Sequence, residues 1–224
     1  MNRIKLKDRV LPTYSKGEEI FNMVTHVVGA AFGLVAMVLC IIMAAIHGDA
    51  YGVVSSVIYG ITMMLLYIMS SIYHGLRRQG TAKKVFQVLD HCTIFLLIAG
   101  SYTPFALVLF REYNVALGWE IFGVIWGMAI LGVVLNSIDL KRYRVFSMIC
   151  YLVMGWAILF RADLLPKLLD PAGIVLLVAG GIAYTVGAIL YGIGRKKKWM
   201  HSIFHLCIIL GSLLQFFCIL FYVL

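Results

Sequence analysis

The sequence predicts an all-α polytopic membrane protein, a bundle of seven transmembrane helices with its N-terminus cytoplasmic and its C-terminus outside. Three observations carry this expectation. Of 224 residues, 62% are hydrophobic and 13% charged, and the mean hydropathy is +0.97; soluble domains average roughly 45–50% apolar and about 25% charged. The apolar residues gather into seven runs, most of them near the roughly 20 residues that cross a hydrocarbon core of about 30 Å. The basic residues fall almost wholly in alternate connections, the asymmetry that sets orientation in a bilayer.

A short basic tail, about residues 1–21, precedes the first run. The runs occupy about 23–46, 51–73, 86–110, 117–138, 145–160, 172–193 and 203–224. Inside lipid every backbone N–H must be paired within its own segment, so uninterrupted runs of this length are helices. The first carries Gly29 and Gly33 in a GxxxG spacing that permits close backbone approach, read as packing within the monomer ahead of dimerisation. The second ends in Ser70 and His74. The third opens on Asp90 and His91 and contains Pro104, which lacks a backbone donor and is expected to kink it. The fourth is apolar throughout, the fifth is the shortest, and the sixth is dotted with glycine. The seventh opens on His201 and His205. The connections are short, so residues 1–224 read as a single membrane domain with no soluble module.

All the Lys and Arg residues except Arg111, Arg161 and Lys167 precede helix 1 or lie between helices 2 and 3, 4 and 5, or 6 and 7. That places the N-terminus and these three connections in the cytoplasm. The net charge of +9 is thus a topology signal that needs no nucleic-acid partner, and clusters such as Arg195 to Lys198 would meet anionic headgroups. The polar, basic start and the long first run read as no cleavable signal peptide. Cys40, Cys92, Cys150, Cys207 and Cys218 all fall within the helical runs in no CxxC spacing, which argues against disulfides or a thiolate metal site. The expected location is a bacterial cell (inner) membrane.

Imidazole and carboxylate are costly in a bilayer, so His26, His74, Asp90, His201 and His205, all at the cytoplasmic ends of apolar runs, form a functional hypothesis. His201 and His205 are four residues apart and share a helical face. His74 makes a third imidazole, the number a catalytic zinc takes while keeping a fourth position for water. Ser70 lies one turn before His74. Asp90 stands at the depth of the histidines, with Lys83 and Lys84 as its nearest candidate ion-pair partners. His91, about 100° further around the helix, should not share the face of Asp90 and is not expected to be a ligand. Glu19, Asn22 and His26 follow one another at i, i+3 and i+7. That stripe either braces the metal ligands from behind or caps and hydrates the cytoplasmic mouth.

The runs Glu19-Ile-Phe-Asn22-Met-Val-Thr25-His26, Ser70-Ser-Ile-Tyr-His74, Leu89-Asp90 leading into Gly100-Ser101-Tyr-Thr-Pro104, and His201-Ser-Ile-Phe-His205 resemble the successive motifs of the progestin and adipoQ receptor superfamily. Its bacterial branch is called haemolysin III. The resemblance implies seven helices, a cytoplasmic N-terminus and a zinc ion near the cytoplasmic face, bound by His74, His201 and His205. It also implies that Asp90 holds the water there, with Ser70 beside it, as in the similar residue set of alkaline ceramidases, which hydrolyse lipid amides. The short N-terminal tail departs from the receptor members and argues against a protein-hormone ligand.

The function expected is therefore zinc-dependent hydrolysis of a lipid amide or ester, with Asp90 as general base and Ser70 as oxyanion donor. Two other classes compete with it. One is a cytolysin, as the family name suggests, although a chain apolar throughout has no releasable form. The other is a receptor-like regulator of membrane state in which zinc is structural, which would need Asp90 as a fourth direct ligand.

Overall fold

The computed structural model describes residues 6–78, 80–194 and 197–224. Among them no strand occurs, and seven helices are long and apolar enough to cross a membrane. They are α1 (Lys16–His47), α2 (Ala50–Gly75), α3 (Thr81–Tyr113), α4 (Val115–Asp139), α5 (Arg144–Arg161), α6 (Pro171–Gly194) and α7 (Met200–Tyr222). The expectations attached to Arg3, Lys5, Arg195 and Lys196, and to the side chain of Lys7, lie outside the described residues.

The helices start where side chains can cap them. Ser15 accepts the backbone N–H of Glu18 at 3.2 Å, and Glu18 accepts that of Ser15 at 2.9 Å, a reciprocal box that satisfies two otherwise orphaned donors. α1 therefore begins at Lys16, and the tail ends there rather than near residue 21. Asp49 caps α2 through the N–H of Gly52 at 3.0 Å, and Asn114 caps α4 through that of Leu117 at 3.0 Å. α5 is α-helical over Arg144–Gly155 and tightens into a 3-10 segment, Ala157–Arg161. At Pro104 the expected kink takes the form of a change of helix type, because Phe105–Phe110 winds as a π-helix.

α3 is the central span: 72% of its apolar window is buried, against 22% for each of α4, α5 and α6. α1 buries a stripe running from Glu19, Asn22 and His26 through Gly29, Gly33 and Ala36, and turns Val24, Val27, Val28 and Val35 outward. The GxxxG pair serves contacts within the chain. A Cβ on Gly29 would lie 2.7 Å from the Tyr67 ring of α2, and one on Gly33 would lie 3.1 Å from Met64. The five cysteines are free, three of them buried, as packing residues would be.

The start of α1, the end of α2 and the starts of α3 and α7 meet at one end of the bundle. Trp199, in a left-handed conformation with φ 66°, donates its N–H to Glu18 at 2.7 Å and ties the start of α7 to α1. At the opposite end Arg111 reaches Asp49 at 2.7 Å and covers the Tyr51 ring, 3.8 Å from its centroid.

Candidate metal centre

His74 occupies the last turn of α2, and His201 and His205 stand one turn apart on α7; all three are buried. The Nε2 of His201 lies 3.4 Å from that of His74 and 3.1 Å from that of His205. The three rings offer ligand atoms that all fall within 4.8 Å of one another. Two nitrogens bonded at about 2.0–2.1 Å to one tetrahedral ion stand roughly 3.3 Å apart, so the donor set fits a single divalent metal in type, number and spacing. A bare cluster of three imidazoles has no comparable use for this convergence, since neutral rings cannot each donate and accept among themselves at Nε2.

Behind the rings the surroundings differ. The Nδ1 of His74 is 2.7 Å from Glu19 Oε2. His26 stacks on His205 with centroids 3.9 Å apart and meets the edge of Tyr67 at 5.0 Å. Both nitrogens of His26, both amide atoms of Asn22, the Ser202 hydroxyl and the Nδ1 of His205 are buried without a hydrogen-bond partner among the described residues. Of the stripe, Glu19 thus touches His74 and His26 stacks on His205 as a fourth imidazole outside the ligand group, while Asn22 is buried between them on α1.

Asp90 keeps only 15% side-chain exposure, and its carboxylate is not among the clustered ligand atoms. It lines, with Ser70, His26 and His201, one end of a cavity of about 140 Å³. The cavity continues along α3 to Phe105, a helical rise of about 22 Å, between apolar residues that include Trp156, Ile158 and Leu177. One expectation about Asp90 is corrected: Lys83 is paired with Glu19, not with Asp90. His91 lines the same cavity as Asp90 and, as expected, stands outside the group of clustered ligand atoms. The Nδ1 of His91 lies 2.9 Å from the Gln87 carbonyl and 3.7 Å from Asp90 Oδ2, and its Nε2 is 3.0 Å from the Tyr191 hydroxyl. With Nδ1–H donated to the carbonyl, Nε2 accepts from Tyr191.

Sequence reasoning missed Tyr14. Its ring stacks on His201 with centroids 4.7 Å apart and planes 17° apart, and its carbonyl accepts from Arg78 at 2.5 Å. Burial first, then the neighbouring Tyr191, Asp90 and Glu19, hold its hydroxyl above the usual phenol range, so it covers the histidines as a neutral ring. A lone tyrosine ahead of the first helix carries no periodic signal that would have marked it.

The family model described as "Haemolysin-III related" matches residues 14–216. A relative named "Hemolysin-3" from Bacillus cereus is 42% identical over 207 residues, 92% of each chain. A "Hemolysin-3 homolog" from Bacillus subtilis (strain 168) is 40% identical over 205 residues, 92% of this chain and 94% of that one. The human "Monocyte to macrophage differentiation factor" is 25% identical over 207 residues, 90% of this chain and 83% of that one.

Proposed function

The chain belongs to the haemolysin III-related family, and on that premise we propose that it is a zinc-dependent membrane hydrolase acting on a lipid amide or ester. One observation carries the reading: three Nε2 atoms converge at metal-ligand spacing, and one of these histidines, His201, lines together with Asp90 and Ser70 one end of a long apolar cavity. His74, His201 and His205 would hold the ion. When bound, a three-histidine zinc acts as a Lewis acid and brings the pKa of a coordinated water down to about 7.

The chain's own residues do the rest. Asp90 takes a proton from the attacking water as its oxygen bonds to the acyl carbon. It returns that proton to the amine or alcohol when the C–N or C–O bond breaks. Ser70 donates its hydroxyl hydrogen to the carbonyl oxygen as negative charge develops there. The apolar wall between Tyr102 and Leu177 receives the acyl chain and keeps water from it. The alternate distribution of basic residues supports a cytoplasmic placement of the histidine end, in a bacterial cell (inner) membrane.

Purified protein of known metal content tests this. Asp90→Asn should keep zinc and lose turnover of lipid amide or ester by about 10²- to 10⁴-fold, and His205→Ala should lose both. Hydrolysis unchanged in both variants removes the enzymatic reading. The relatives' name favours membrane lysis, and liposome leakage indifferent to these substitutions would support it. A structural zinc with four protein ligands is less well supported, since the Asp90 carboxylate stands outside the ligand group.

A further inference from the structure

Lys83 follows the loop between α2 and α3, where its charge alone would make it a topology marker, yet its side chain is only 2% exposed. Its Nζ lies 2.6 Å from Glu19 Oε1 and 3.3 Å from the Leu76 carbonyl, and 5.0 Å from the centroid of the Tyr73 ring. The other oxygen of the same carboxylate lies 2.7 Å from His74 Nδ1. One carboxylate from α1 therefore joins a buried ammonium from α3 to a buried imidazole from α2.

We propose that Lys83 and Glu19 form a single positioning unit that fixes the tautomer and ring angle of His74, so that its Nε2 lone pair is presented to a metal before the metal arrives. The proposal rests on reading the three histidines as a metal centre. Its physical basis is an asymmetry among the ligands. His201 and His205 share one helix, whose i, i+4 geometry already sets their relation. His74 comes from a different helix and needs an anchor from outside. An imidazole that ligates through Nε2 carries its proton on Nδ1, and a fixed acceptor there decides both tautomer and orientation. A carboxylate held at only one oxygen would pivot. Lys83 occupies the second oxygen and is itself held by the end of α2, so the acceptor is locked from both sides. The ammonium also cancels the carboxylate charge, so the lock adds no net charge to the metal's surroundings.

Two double variants test the unit without leaving one buried charge alone. Glu19→Leu with Lys83→Met removes both charges and the acceptor; Glu19→Gln with Lys83→Met removes the charges but keeps a neutral acceptor. Chelator competition on purified protein should show zinc held about 10- to 100-fold more weakly in the first, with a smaller loss in the second. Cobalt substituted for zinc should change its visible spectrum in the same order. In metal-free protein labelled with ¹⁵N-histidine, wild-type His74 should be protonated at Nδ1 alone, and the first variant should show a mixture of tautomers. Should the first variant fail to fold, the second decides by the same three readouts. Zinc affinity, cobalt spectrum and His74 tautomer all equal to wild type would overturn the proposal. Wild type that binds no zinc but shows the locked tautomer would overturn the metal reading and leave the lock standing.

Discussion

Each end of α2 lies beside a carboxylate paired with a cation of α3, and the two pairs behave as opposites. At one end Asp49 is 47% exposed and Arg111 16%; at the other, Glu19 is 11% exposed and Lys83 only 2%. Asp49 divides its oxygens between a helix cap and a guanidinium, and Arg111 also donates to the Leu107 carbonyl at 2.6 Å. That end is a fastener between α2 and α3. At the histidine end, Asn22, His26, Ser202 and His205 still present buried polar atoms with no hydrogen-bond partner among the described residues. Native interiors leave few such groups without a reason, and the proposed metal centre would give this end one. The difference teaches that an ion pair by itself says little; burial, and the group on the far side of the carboxylate, decide whether it fastens or positions.

The sharpest way to break this comparison is to remove one cation. Lys83→Met leaves the Glu19 carboxylate buried without its ammonium and should cost about 3–5 kcal/mol in mixed-micelle unfolding titrations. Gly29→Ala drives a methyl into the Tyr67 ring beneath His26 and should cost about 1–3 kcal/mol by the same measurement. Ser15→Ala opens the capping box that begins α1, an expected loss of about 1 kcal/mol. Asp49→Asn keeps the cap acceptor but removes the exposed charge, and should change stability by no more than about 1 kcal/mol. If Asp49→Asn were as damaging as Lys83→Met, the two ends would be alike and the distinction would fail.

Much of the site was readable in advance because bilayer energetics make its residues conspicuous. Three imidazoles at the ends of apolar runs, two of them four apart, stand out against a background of Leu, Ile and Val. Their convergence was foreseen from spacing and family resemblance, and the structure brings them together. Lys83 and Tyr14 escape such a reading, for two different reasons. Lys83 sits in a run of basic residues that reads as a topology signal, so its burial has no sequence signature. Tyr14 precedes every periodic segment.

The sequence by itself determined seven membrane helices, the cluster of polar residues at one end, and the residue types able to hold a metal. It did so because hydropathy, capping and charge act locally and leave their record in composition and period. Only the tertiary structure decided which carboxylate serves which cation, that Glu19 joins Lys83 to His74, and that the Asp90 carboxylate stands outside the cluster of three histidines. These are matters of a few ångströms between segments far apart in the chain, set by how α1, α2, α3 and α7 pack, and no local pattern encodes them.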